Sequence, residues 1–171
     1  MRKIEEVIGK LTGAISIISY IGFFFIMLFT VADVVLRFAL SSPILGSYEI
    51  VERAMFCSVF ASFAYAQSQK AHINITMLID LFPVKLKLFC LSLTGMLSTC
   101  AAVFIAYAAT KQANTAWAAS YATSVLSIPL YPFYWTEFLC MLAFAATLLY
   151  DAIKYFFAIF NEDIARRVLS E

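Results

Sequence analysis

Long apolar runs separated by short polar stretches form the dominant pattern of this chain of 171 residues. The run from Leu11 to Ala32 contains no charged residue, and neither does the run from Leu88 to Thr110. A helix needs about 20 apolar residues to cross a bilayer, so both runs are long enough. Because backbone polar groups in lipid must be satisfied within the segment, both runs are predicted to be transmembrane helices.

Two further helices are predicted, which gives four in a single membrane domain covering residues 1–171. The second begins with polar residues and continues through the uncharged stretch 54–69, while the fourth is interrupted by Glu137. Pro43 and Pro83 stand at breaks between helices, where proline is common. The predicted helices cover residues 11–40, 46–69, 84–117 and 131–160.

The composition agrees with a protein surrounded by lipid. Hydrophobic residues make up 63% of the chain, charged residues 13%, and the mean hydropathy is +0.88. A soluble domain with so little charge would expose apolar patches far larger than soluble monomers tolerate. The fold class predicted is therefore an all-α integral membrane protein that contacts membrane lipids. The net charge of +1 gives no reason to expect binding to nucleic acid.

The distribution of lysine and arginine predicts the orientation. With four spans, both termini and the loop 70–87 share one side of the membrane. That side carries nine of the twelve basic residues, namely Arg2, Lys3, Lys10, Lys70, Lys85, Lys87, Lys154, Arg166 and Arg167. The other side carries three, namely Arg37, Arg53 and Lys111. The positive-inside rule then places both termini and the loop in the cytoplasm of a multi-pass protein of the bacterial inner membrane.

Charged residues cluster where the first helix ends and the second begins. Asp33 and Arg37 are four residues apart, so they share a helix face, and Glu49 and Arg53 repeat this spacing beside Glu52. We expect Arg37 to pair with Asp33 and, across the hairpin, with Glu49 or Glu52. Two interpretations remain open: a structural cluster that holds the hairpin together, or a site for partner docking or ion passage.

A second pair of charges is predicted within the membrane. Lys111 and Glu137 lie at equal sequence distances from residue 124, in the loop between the third and fourth helices. In an antiparallel hairpin the two would meet at similar depth. Structural pairing is favoured over a proton or ion relay.

The sequence contains little that is typical of an enzyme. His72 is the only histidine, and it lies in the predicted cytoplasmic loop with Asp80, where a structural or solvated role is expected. The four cysteines fall in apolar runs without a C-x-x-C pair. No phosphate-binding loop or nucleophile elbow is present. We therefore expect no catalytic residue, no metal and no cofactor.

Four short stretches form an ordered set of motifs along the chain. They are Asp33-Val34-Val35-Leu36-Arg37-Phe38, Pro43-Ile44-Leu45-Gly46-Ser47-Tyr48-Glu49, His72-Ile73-Asn74-Ile75 leading to Asp80 and Pro83, and Ser124-Val125-Leu126-Ser127-Ile128-Pro129-Leu130. In their order and spacing, and with the four-helix topology, they resemble the small, or Q (DctQ-like), membrane subunit of tripartite ATP-independent periplasmic (TRAP) transporters. The resemblance extends from about Gly22 to Asp151. One departure is Tyr48, where family members often carry tryptophan.

This resemblance implies a function and partners. The chain would brace a large multi-span M subunit, which carries the substrate and sodium sites, and a periplasmic substrate-binding protein would deliver the substrate. The substrate class implied is an organic acid, either a C4-dicarboxylate or a sialic acid.

Two other functions are considered. A standalone four-helix transporter or channel would be expected to carry a carboxylate in the middle of its first helix, and residues 11–32 contain none. A membrane anchor of a redox complex would need paired histidines for haem, whereas only His72 is present.

Overall fold

The chain forms a bundle of α-helices in a computed structural model that describes residues 2–69 and 83–160. Within these ranges there are four helices and no β-strand, as the apolar pattern predicts. The first helix begins before the expected Leu11, because its polar first turns continue the apolar span without a break. The helices are α1 (Arg2–Leu40), α2 (Ser47–Ser68), α3 (Val84–Ala118) and α4 (Tyr131–Phe160).

Three of the described helices are long and apolar enough to cross a membrane. The spans are Thr12–Leu40, Val84–Ala118 and Tyr131–Ile159, with mean hydropathies of 2.3, 2.0 and 1.5. Only 11% of the most apolar window of α1 is buried, so most of its apolar surface faces outward. Such surface is stable only against lipid or another apolar protein. The chain is therefore an integral membrane protein.

The helices pack in the order α1, α2, α4, α3. Helix α1 packs mainly on α2, α2 packs also on α4, and α4 packs along α3. Ring contacts between α2 and α4 advance in the same direction along both helices. Phe56 lies 6.3 Å from Tyr134, and Phe63 lies 5.8 Å from Phe144, measured between ring centroids. The helices α2 and α4 are therefore parallel, as a four-span topology requires.

A row of alanines brings α3 close to α4. Each is at most 2% exposed, and they recur every three or four residues along one helix face. One of them, Ala102, packs with Ala145 and Leu148 of α4, and α4 is the helix that packs along α3. Small side chains allow helix backbones to approach closely, which favours packing where water is absent. The row consists of Ala102, Ala106, Ala109, Ala113 and Ala116.

The contact between α1 and α2 depends on Gly22. A Cβ atom at Gly22 would collide with the Ser58 hydroxyl group, and it would lie 3.2 Å from the Ser58 Cβ. One turn away, the Ser19 Oγ donates a hydrogen bond of 2.7 Å to the Ser58 carbonyl. The two helices therefore meet with no space for a side chain at this position.

Gly22→Val is expected to separate α1 from α2 and to destabilise the protein by about 1–3 kcal/mol, the usual cost of overpacking. Thermal unfolding in detergent measures the loss. Gly13→Val is the matched control, because a Cβ atom at Gly13 meets nothing within 4 Å. Equal melting temperatures for the two variants would contradict the close contact.

Candidate functional site

Asp33 fixes the turn between α1 and α2. Its Oδ1 accepts a hydrogen bond of 2.9 Å from the backbone N–H of Ile44, and its Oδ2 accepts one of 2.8 Å from the Arg37 Nη2. Asp33 is 7% exposed, whereas the Arg37 side chain is 62% exposed. The aspartate is thus the central residue of this turn, and the arginine lies at its outer edge.

Glu49 joins α2 to the distant connection between α3 and α4. One carboxylate oxygen accepts a hydrogen bond of 2.8 Å from the N–H of Val125, and the other accepts one of 2.9 Å from the N–H of Leu126. Hydrogen bonds to a charged acceptor are stronger than those between neutral groups. Glu49 is 8% exposed, so water cannot easily replace it.

A glycine completes this junction. The Leu126 side chain packs against the backbone of Gly46, where any Cβ atom would collide with it. Gly46 also has φ +71°, which suits glycine and few other residues. The connection 41–46 and the connection 119–130 therefore form one unit, called here the joined loops.

The 119–130 connection is also braced from within. The Thr123 N–H donates to the Ile128 carbonyl at 3.0 Å, and the Ile128 N–H donates to the Thr123 hydroxyl oxygen at 3.0 Å. Beside it, a cavity of about 590 Å³ is lined by Trp117, Tyr121 and Tyr131 among other residues. The joined loops thus present a folded surface at one end of the bundle.

The expected partners of Arg37 need correction. Arg37 bonds to Asp33, but it forms no ion pair with Glu49 or Glu52. Glu49 is occupied by the two backbone N–H groups of the other connection, and Glu52 accepts a bond of 2.6 Å from its neighbour Arg53. Because the buried Glu49 carboxylate already accepts two N–H bonds, an ion pair with the distant, exposed Arg37 guanidinium group would add little stability.

The Arg53 side chain is mostly buried and packs against α4. It is 17% exposed, its guanidinium carbon lies 6.0 Å from the centroid of the Phe133 ring, and its Nε is buried without a hydrogen bond to the described residues. The exposed bond to Glu52 uses the Arg53 Nη2 and leaves the Nε–H without an acceptor. Arg53 therefore has capacity for one more acceptor.

The expected pair of Lys111 and Glu137 is also absent. Glu137 is 9% exposed and has no ion pair or hydrogen bond to the part of the chain that the structure describes. Lys111 is exposed, and its ammonium group lies 5.0 Å from the centroid of the Tyr107 ring. Equal depth in the membrane does not bring two side chains together unless both helices also turn them toward each other. Lys111 lies two residues from both Ala109 and Ala113, which face α4, so it points to the opposite side.

Two of the predicted site residues cannot be placed by the structure, and the others, which it describes, form no metal site. His72 and Asp80 lie outside the described residues. Over residues 2–69 and 83–160, no group of three or more histidine, cysteine, aspartate or glutamate side chains could hold a metal ion. All four cysteines are free.

The role of Glu49 was missed from the sequence because its partners are backbone groups. Backbone N–H groups exist at every residue except proline, so no side-chain pattern marks those of Val125 and Leu126 as partners. The only signal was a carboxylate at the polar start of α2, together with a loop rich in hydroxyl groups.

The helices and the joined loops define a small, all-helical integral membrane protein whose polar contacts tie two connections together at one end. The sequence profile of the family described as "Tripartite ATP-independent periplasmic transporters, DctQ component" matches residues 26–161. The chain belongs to this family, which confirms the resemblance seen in its motifs. It is thus the small component of a TRAP transporter, and its family is one of transport subunits. No curated protein matches the chain at a significant level.

Proposed function

We propose that this subunit braces the large M subunit of a TRAP transporter during sodium-coupled uptake of an organic acid. The substrate would be a C4-dicarboxylate or a sialic acid, and a periplasmic binding protein would deliver it. The observation that carries the proposal is the family match over residues 26–161.

The joined loops support a bracing role. Glu49 connects the two halves of the chain through charge-assisted hydrogen bonds, and Asp33 fixes the adjacent turn. Charge-assisted bonds to carboxylates that are themselves buried resist local opening. A subunit that keeps one end rigid is suited to stay fixed while a larger partner moves.

Helix α2 is proposed as the fourth crossing. Its 22 residues rise about 33 Å at 1.5 Å per residue, close to the thickness of the hydrocarbon core of roughly 30 Å. Its polar first turns reduce its hydropathy, but Glu49 and Arg53 turn their charges toward the rest of the bundle. Four crossings give both termini the same side, and the basic residues favour the cytoplasm of the bacterial inner membrane.

This topology predicts the labelling of single cysteines in a cysteine-free background. An impermeant thiol reagent added to intact spheroplasts should label cysteines at positions 42 and 124, and it should label position 72 only after the membrane is opened. The reason is the excess of basic residues near the termini and the loop 70–87. Strong labelling of position 72 from outside would refute this orientation.

The function itself is tested by reconstitution into vesicles with the large subunit and the binding protein of the same transporter. Uptake of a radiolabelled organic acid should need this chain, the large subunit and the binding protein together with an inward sodium gradient. Vesicles with this chain alone should show background uptake. Uptake by the chain alone, or full uptake by the other two components without it, would contradict the bracing proposal.

A further inference from the structure

Lys111 lies on the side of α3 that no other described helix covers. The buried alanines at 109 and 113 face α4, and two residues of helix correspond to a rotation of about 200°, so Lys111 points almost directly away from the bundle. Phe104 and Tyr107 share this outer side and are 71% and 56% exposed. The outer face of α3 is defined here by Phe104, Tyr107 and Lys111.

The Lys111 ammonium group points toward the membrane interior because of the direction in which α3 crosses the membrane. In the proposed topology α3 leaves the membrane at its C-terminal end. Cα–Cβ bonds tilt toward the N-terminus of a helix, so side chains of α3 tilt toward the membrane interior. The Lys111 ammonium group follows this tilt and lies over Tyr107, one turn deeper, instead of extending outward to water.

The described part of the chain provides no carboxylate for Lys111. Neither ion pair found there involves it, and Glu137, at similar depth on α4, is buried within the bundle. The nearby hydroxyl groups of Thr110 and Thr115 donate to carbonyls of their own helix, and as neutral groups they cannot balance the charge of the ammonium group. A lysine within a membrane span usually faces protein or water and is paired.

We propose that the outer face of α3 is where a transmembrane helix of the large subunit docks, and that this helix presents a carboxylate to Lys111. The inference rests on the proposed function and adds the face and the chemistry of the contact. Lipid phosphate is the weaker occupant, because headgroups lie outward and the ammonium group leans inward. Aromatic rings at Phe104 and Tyr107 supply the apolar area that a helix contact needs.

A charge series at Lys111 tests the carboxylate. The tagged chain is expressed with its native large subunit, and the amount of large subunit recovered per mole of chain is measured. Lys111→Arg should keep the wild-type ratio, Lys111→Gln should reduce it, and Lys111→Glu should reduce it by about tenfold or more, because like charges would then oppose each other. Normalising to the recovered chain separates loss of docking from loss of folding.

Gln112→Glu is the matched control. It adds an acidic group at nearly the same depth, but its exposed side chain is rotated by about 100° from Lys111. This variant should keep most of the wild-type ratio. A Lys111→Glu variant that recovers as much large subunit as Gln112→Glu would overturn the proposed carboxylate contact.

Photo-crosslinking tests the face itself. A diazirine amino acid at position 104 should crosslink to the large subunit in native membranes. The same group at position 139 of α4, where Leu139 is 64% exposed, is the control for a surface outside this face. Crosslinks from position 104 to lipid alone, while the wild-type complex is recovered intact, would overturn the inference. Failure of the wild-type chain to recover any large subunit would instead contradict the proposed function.

Discussion

Replacing Glu49 with alanine is expected to release the connection 119–130 from α2 and to produce a large local change in the joined loops. The change removes both acceptors of the Val125 and Leu126 N–H groups. Buried donors left without acceptors cost about 1–3 kcal/mol. Hydrogen exchange at these two amides should therefore accelerate by about 5- to 150-fold, since local opening becomes easier by that free energy.

The measurement is hydrogen–deuterium exchange by mass spectrometry on the chain in lipid nanodiscs, followed on the peptide that contains residues 125 and 126. Glu52→Ala is the control, because Glu52 has the same charge and lies one turn away but bonds only to Arg53 at the surface. Exposed ion pairs contribute roughly 0–1 kcal/mol, so exchange at the two amides should stay near the wild-type rate. Equal exchange in both variants would show that Glu49 does not hold this connection.

Glu49→Gln tests whether the charge or only the shape matters. The amide side chain retains one carbonyl oxygen, but its NH₂ group is a donor that faces the second N–H without accepting from it. The exchange rate should lie between those of wild type and Glu49→Ala. A rate equal to wild type would mean that a single acceptor is enough.

The second large effect is expected at Asp33, and it should exceed the effect at Arg37. Asp33→Ala leaves both the Ile44 N–H and the Arg37 guanidinium without their acceptor. The loss should be about 1–3 kcal/mol, which is the range for leaving polar groups unpaired. Arg37→Ala removes a side chain that is 62% exposed, so the loss should be at most about 1 kcal/mol.

A double-mutant cycle in thermal unfolding separates the two contributions. If the Asp33–Arg37 bond is the main function of both residues, the double variant should be little worse than Asp33→Ala alone, because the arginine has then lost its partner already. Asp33→Ala also removes the acceptor of the Ile44 N–H, and this loss of stability does not occur in Arg37→Ala. An Arg37→Ala variant less stable than Asp33→Ala would contradict this ranking and would point to a partner for Arg37 outside the chain.

Both predictions concern the surface that a periplasmic protein would meet in the proposed topology. Asp33 and Glu49 are buried beneath the joined loops, and they hold exposed residues such as Ser42 and Ser124 in place. Substitutions of the buried carboxylates should therefore change the shape of this surface without changing its composition.

The apolar runs by themselves determined that the chain is an all-helical membrane protein and where most of its helices begin and end, although α1 starts nine residues before the expected Leu11. Helix formation in lipid depends on local hydropathy and on backbone hydrogen bonds within one segment, both of which can be read along the chain. The Asp33–Arg37 bond is predictable for the same reason, since residues four apart lie on one face of a single helix.

Only the tertiary structure decided which partners the other charges take. Glu49 bonds to residues more than seventy positions away, and these contribute backbone N–H groups that no side-chain pattern distinguishes. Lys111 and Glu137 reach similar depths, as their spacing predicts, but helix packing turns Glu137 inward and Lys111 outward. Spacing along the chain determines how deep a residue lies in the membrane. Rotation about the helix axis depends on which helix face packs closely against a neighbour. In α3 the alanine face packs against α4, so Lys111 faces away from it.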